Sequence, residues 1–152
     1  MNHDVESSRQ IEFASHPGNL CLVREFVRQF LKPLRFPPLD KDLNILGLDE
    51  ACTNVIRYAY DHDPHQLICL VCEKKTDGVI FRLRDFGAQC DPSTLKGRPL
   101  DLVQPGGLGL HLIRKAFDGV DYTLKKEGTE LVLSKQFVAF NNCCPPECEA
   151  NS

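Results

Sequence analysis

The sequence predicts an α+β fold: a mostly antiparallel sheet with helices on one face, forming a two-layer α/β sandwich. Three observations lead there. Two stretches read as strand–turn–strand hairpins, at residues 67–85 and 120–137. Apolar residues at helical spacing mark separate helices outside those hairpins. At 152 residues the chain fits one domain that buries a core without disulfide staples.

In chain order, Gln10–Ser15 alternates, with Ile11 and Phe13 on one face, and reads as a short strand. Residues 1–9, polar and mixed in charge, are expected to be a flexible lead, and residues 10–138 to form the domain. Asn19–Leu34 carries Leu20, Val23, Val27, Phe30 and Leu34 at helical spacing, with Pro37 and Pro38 as a stop. Asp40 is the expected cap of a second helix reaching about Tyr60. Leu67–Lys74 opens on the continuous apolar run Leu67–Cys72, the pattern of a strand covered on both faces. Thr76-Asp77-Gly78 is a turn signal, which makes Val79–Asp85 its hairpin partner. A Pro-, Gly- and Asp-rich stretch follows to Pro105, long for a connection in a compact domain. A short helix is expected from Gly107 to about Phe117. Val120–Lys126 and Glu130–Phe137 then pair across Glu127-Gly128-Thr129. Residues 139–152 read as a flexible tail carrying Cys143, Cys144, Cys148, Pro145 and Pro146.

Composition narrows the function classes. Hydrophobic residues make up 42% and charged residues 26%, with a net charge of −3, values of a globular domain without the clustered cationic excess of a nucleic-acid binder. The opening MNHDVESSRQ lacks an export signal, and the run Leu67–Cys72 is too short to span a bilayer. A cytoplasmic protein that neither enters a membrane nor binds nucleic acid is expected. The eight cysteines then read as reduced thiols. Cys21, Cys52, Cys69 and Cys72 fall within apolar patterns, where a thiol acts as a small hydrophobe.

Four local features carry possible chemistry. Glu50, Asn54 and Arg57 lie within about 60° of one another on a helix. A solvated polar face explains them; so does a site in which the Asn54 amide helps hold a hard cation and Glu50 acts as a base. Asp85 shares the parity of Val79, Phe81 and Leu83, and a carboxylate closing an apolar row is costly unless paired. Either it caps a turn, with Gly87 at positive φ, or it faces a ligand that presents donors. Gly106-Gly107-Leu108-Gly109-Leu110 opens a helix, and unpaired N–H groups at a helix start suit phosphate. It matches neither the dinucleotide fingerprint nor the Walker loop; a hinge into a helix is the competing reading. Thr129 shares the parity of Leu131 and Leu133, which turns its hydroxyl inward, unless it bonds its own hairpin.

Taken in order, the helical Glu-x-x-x-Asn, the Asp-x-Gly after a strand, the Gly-Gly-x-Gly before a helix and the Gly-Thr between strands resemble the GHKL ATPase superfamily. The resemblance covers about Ile11–Phe137. It is closest to the anti-sigma factor serine/threonine kinases, through Asp49-Glu50-Ala51-Cys52-Thr53-Asn54, Arg84-Asp85-Phe86-Gly87 and Gly106–Leu110. The resemblance implies a Bergerat-type fold that binds ATP and Mg²⁺. Asn54 would help coordinate Mg²⁺, and Glu50 would orient or activate the attacking hydroxyl. Asp85 would accept from the adenine amine, Gly87 would shape that pocket, and Thr129 would add a contact. Gly106, Gly107, Leu108, Gly109 and Leu110 would wrap the phosphates, beneath a lid running from Ala88 to Pro105 in which Lys96 or Arg98 could reach a phosphate. His111 reads as an exposed helix residue. The implied substrate is a serine of a STAS-domain anti-anti-sigma protein. A sigma factor is the implied second partner, and the family's homodimers make the first strand and helix the expected partner surfaces. The alternative is a nucleotide-gated binding module that transfers no phosphate.

Overall fold

The computed structural model describes residues 5–89 and 107–138. Five strands, β1 (Val5–Ala14), β2 (Leu67–Lys75), β3 (Gly78–Arg84), β4 (Gly119–Leu124) and β5 (Thr129–Gln136), form one sheet in the order β1-β2-β3-β5-β4. Every neighbouring pair is antiparallel, with register marked by Val5 opposite Lys75, Leu70 opposite Leu83, Gly78 opposite Gln136 and Leu124 opposite Thr129. Helices α1 (Leu20–Leu31), α2 (Pro38–Asn54) and α3 (Gly107–Ala116) complete the expected sandwich.

The boundaries differ from expectation for local reasons. β1 starts at Val5, so residues 5–9 pair with β2 rather than standing as a flexible lead. Glu6-Ser7-Ser8-Arg9 is exposed along this edge strand, and no apolar alternation announces it. A 3₁₀ turn at Pro17–Asn19 leads into α1, capped by His16, whose Nδ1 accepts the Gly18 N–H at 2.8 Å. α1 buries Val23, Val27, Phe30 and Leu31 and then stops: Lys32 still holds helical φ/ψ and donates to Arg28 C=O, but Pro33 offers no N–H to continue the ladder. The cap of α2 is Pro37, not Asp40. Pro38 takes the first helical position, where its missing N–H costs nothing, and Asp40 sits in the first turn, where the helix dipole favours its charge.

The second helix does not run evenly to Tyr60. After Asn54 the backbone widens into a π-helical turn at Val55–Ala59, closed by Tyr60 N–H to Val55 C=O at 3.1 Å. Asp61 and His62, at φ 47° and 64°, end it in left-handed conformation.

The core lies between the helices and one face of the sheet. Phe81 is fully buried at its centre, edge-on to Phe30 at 5.9 Å and to Phe117 at 5.8 Å between ring centroids. Such pairs add about 0.5–1.5 kcal/mol each beyond burial. Gly47 lets the end of α3 close on α2, since a Cβ there would stand 2.8 Å from the Phe117 ring. Asn44, also fully buried on α2, has neither amide atom hydrogen-bonded.

β2 corrects one expectation. Its apolar run is buried on alternate residues only, Ile68, Leu70 and Cys72 facing the core. Cys69, Val71 and Glu73 are half-buried on the other face. That face carries an ionic ladder in which Arg82 meets Glu73 at 3.1 Å and Glu130 at 3.7 Å, with Lys125 3.8 Å from Glu130. Cys21, expected in an apolar pattern, is exposed, whereas Cys52 and Cys72 are buried. Burial first, then Asp49, pushes the Cys52 thiol up to about 12, and burial does the same to Cys72, which leaves both unreactive.

Candidate functional site

The site grows from the end of β3. Asp85 continues that strand's row of Val79, Phe81 and Leu83 and is 5% exposed. Its Oδ1 accepts the Gly87 N–H at 3.0 Å. Burial pushes its pKa above the ordinary carboxylate value, against the opposing pull of Gly87, Arg84 and the Thr129 amide. The two readings of this residue therefore merge: it caps its own turn, yet a carboxylate has about four acceptor positions and retains capacity for a donor-bearing ligand.

Gly87 is required for a reason other than positive φ. A Cβ at 87 would stand 2.3 Å from the Ala59 carbonyl oxygen and 2.9 Å from the Tyr60 ring. The described glycine with positive φ is Gly128, at 70°, and a Cβ there would stand 2.1 Å from the Asp85 carbonyl oxygen. Gly128 thus lets the β4–β5 turn lie against Asp85. Beside it, half-buried Thr129 pairs with Asp85 through the backbone: Asp85 N–H to Thr129 C=O at 3.0 Å, Thr129 N–H to Asp85 C=O at 3.3 Å. Opposed residues of an antiparallel pair present their side chains on one face.

Two side chains tie this corner together. The Arg84 guanidinium donates to the carbonyls of Asp85, Thr129 and Glu127, the last at 2.7 Å, and lies 4.3 Å from the centroid of the Phe86 ring. Gln89 Nε2 donates to Lys125 C=O at 2.6 Å and Gly128 C=O at 2.5 Å.

On α2, the structure separates two adjacent carboxylates. Asp49 is drawn into an ion pair with Arg24 of α1 at 2.7 Å. Glu50 and Asn54 are half-buried, and neither side chain is bonded or ion-paired among the described residues. Arg57, expected on the same face, is exposed within the π turn. That turn links α2 to the Asp85 corner: Ala59 C=O accepts Ala88 N–H at 2.8 Å, and Tyr60 Oη accepts Phe86 N–H at 2.8 Å.

The glycine segment is placed in part. Gly107, Leu108 and Gly109 form the opening turn of α3, and Leu110 is 1% exposed. α3 packs against α2, and His111 is exposed. Gly106, residues 90–105 of the expected Ala88–Pro105 lid with Lys96 and Arg98, and the expected cysteine tail lie outside the described residues. Of the expected residues, then, Asp85, Gly87 and Thr129 are joined by hydrogen bonds or close approach. Asn54 is linked to them through the π turn, and Glu50 stands one helical turn before it. Tyr60, Arg84, Gln89 and Gly128 hold this corner although the sequence assigns them no role in it; Arg84 and Gly128 have a signal, as members of Arg84-Asp85-Phe86-Gly87 and of the Gly-Thr between strands.

Residues 13–135 match the family model of the histidine kinase-like ATPase domain. The chain is 26% identical over 138 residues to the anti-sigma F factor of Oceanobacillus iheyensis, covering 87% of this chain and 94% of that protein. It is 31% identical over 98 residues to the serine-protein kinase RsbW of Bacillus mycoides, covering 59% of this chain and 60% of the relative's length. Among solved structures, the RsbU and RsbW domains of Rv1364c from Mycobacterium tuberculosis align with a TM-score of 0.63 at 15% identity, over 86% of this chain and 32% of that one. At that identity the likeness speaks for the fold.

Proposed function

Since this chain belongs to the family of histidine kinase-like ATPase domains, we propose that it is an ATP-dependent serine kinase of the anti-sigma type. Its substrate would be a serine of a STAS-type anti-anti-sigma protein, and its second partner a sigma factor. Relatives named anti-sigma F factor and serine-protein kinase RsbW support that reading. The observation that carries nucleotide binding is Asp85: a buried carboxylate with spare acceptor capacity, next to Thr129 on one sheet face. An exocyclic amine fits that donor requirement.

ATP bound with Mg²⁺ supplies the phosphoryl group and the countercharge that stabilises its transfer. Asp85 accepts from the base, Gly87 and Thr129 shape its surroundings, and the N–H groups opening α3 at Gly107–Gly109 face phosphate. Asn54 offers a neutral oxygen to the cation. No group of three or more His, Cys, Asp or Glu side chains suited to a metal occurs among the described residues. Mg²⁺ binds through few protein ligands together with substrate phosphates and water, and half-buried Asn54, its side chain unbonded among the described residues, fits that role. Glu50, unpaired among the described residues and one turn from Asn54, receives the seryl proton or holds that hydroxyl in line.

The partners follow from the same relatives. No described helix is long and apolar enough to cross a membrane, and the reading places the protein in the cytoplasm with its partners. A homodimer through β1 and α1 belongs to it as well, supported by the ten-residue edge strand and by Leu22 of α1, which is 60% exposed. The test is incubation with labelled ATP, Mg²⁺ and STAS-domain proteins of the source organism. Acid-stable label on one serine is the expected result. ATP binding without transfer to any of them would overturn the kinase reading and leave a nucleotide-gated binder.

A further inference from the structure

Tyr60 is 7% exposed, and its hydroxyl is bonded on both sides. It donates to Leu67 C=O at the start of β2 and accepts the Phe86 N–H at 2.8 Å. Phe86 directly follows Asp85. The ring also packs against Gly87, where an added Cβ would stand 2.9 Å from its edge. A second bond reaches the same loop from the preceding residue, Ala59 C=O to Ala88 N–H at 2.8 Å.

These bonds come from the π turn. Its extra residue per turn moves Ala59 and Tyr60 out of α-helical register, and such bulges recur at functional sites. Here the widened turn delivers one carbonyl and one hydroxyl to two positions of the Asp85–Ala88 loop, Ala88 and Phe86.

We propose that Tyr60 is the positioning residue for base recognition, its hydroxyl fixing the backbone just beyond Asp85 so that the carboxylate meets the 6-amino group of adenine in one geometry. The proposal rests on the ATP-binding reading above. A buried hydroxyl that satisfies one donor and one acceptor at a strand–loop junction leaves little freedom there, and removing it leaves the Phe86 N–H and Leu67 C=O without that partner. The neighbouring Arg84 and Gln89 bonds hold the loop to β5 and the β4–β5 turn, on its other flank. Among the described residues, Tyr60 alone ties it to β2 by side-chain hydrogen bonds.

The test compares ATP with purine riboside triphosphate, which lacks only the 6-amino group. Wild-type protein is expected to prefer ATP by about tenfold or more, the worth of one charge-assisted hydrogen bond. Tyr60→Phe keeps the ring and is expected to shrink that preference to about twofold, while competition by tripolyphosphate is unchanged. Phe86→Pro removes the donor from the opposite side and should shrink the preference likewise, which keeps the test open if Tyr60→Phe does not fold. A preference that persists in either folded variant overturns the proposal, as does equal weakening of ATP and tripolyphosphate. Wild-type protein that does not discriminate the two nucleotides would instead sink the Asp85 base contact itself.

Discussion

Asp85 and Thr129 exchange both of their backbone hydrogen bonds, at 3.0 and 3.3 Å, one step beyond the last register pair of β3 and β5, Arg84 opposite Glu130. The ladder thus outlasts β3 by the one pair that the nucleotide reading needs. A carboxylate and a hydroxyl side chain are carried to the same face of the sheet by main-chain geometry.

Asp85→Asn should therefore leave the fold intact and weaken ATP. It keeps the size and one oxygen but loses the charge, and a hydrogen bond to a charged group is worth about 1.5–3 kcal/mol. Calorimetric titration should show affinity falling about 10- to 100-fold, with an unchanged far-ultraviolet circular dichroism spectrum.

The same residue predicts a pH effect in nucleotide-free protein. Burial raises the folded-state pKa of Asp85 above the ordinary 3.8, so folding favours its protonated form. Its contribution is fully present below 3.8 and is lost as pH rises through the folded pKa. The Tm advantage of Asp85→Asn over wild type should therefore widen as pH is raised from below that value to neutrality. A difference that stays flat across the carboxylate range would contradict it.

Glu50→Gln should separate binding from transfer. A general base or hydroxyl-orienting carboxylate contributes about 10²–10⁴-fold to rate, so phosphorylation of the protein substrate should fall by that order. ATP affinity, measured by the same titration, should stay at the wild-type value.

Gly128→Ala should damage both fold and site. The new Cβ would stand 2.1 Å from the Asp85 carbonyl oxygen at φ 70°. Left-handed backbone alone costs a non-glycine residue about 1–2 kcal/mol, and the clash adds to it. Thermal unfolding should drop by at least that equivalent, about 2–4 °C per kcal/mol at this size, together with a loss of ATP affinity.

Asn44→Leu should do the opposite. Both amide atoms are buried without partners, which costs about 1–3 kcal/mol, and leucine is close in shape. A rise of about 2–4 °C in Tm for each kcal/mol recovered is expected. A lower Tm would show that the amide has a partner in solution.

The sequence carried much of this site because its chemistry depends on residue types that are unusual where they stand. Asp85 closes an apolar row, Gly128 sits in a two-strand turn, and Glu50 and Asn54 are one helical turn apart. Positions fixed by three-dimensional contact were not legible. Tyr60 looked like the last residue of a helix, since nothing in Val55–Ala59 distinguishes a π turn from an α turn. Arg84 has the parity of the outer sheet face, and only its long side chain brings it around to three carbonyls. β1 reads five residues too short because the exposed polar stretch Glu6–Arg9 on an edge strand has no alternation to read. β2 reads as covered on both faces because Cys69 and Val71 look the same to a hydropathy pattern whether or not a layer lies above them.

The sheet register also settles how this unit can be tethered. Val5 pairs with Lys75, and Gly78 with Gln136, so the outset of β1 and the finish of β5 leave the sheet at one end. Asp85 and Thr129 stand at the other, about 20 Å away along a seven-residue strand. A fusion partner, affinity tag or surface linker joined before Val5 or after Gln136 would emerge away from this corner. Among the described residues, these attachment points and the nucleotide corner occupy opposite ends of the sheet.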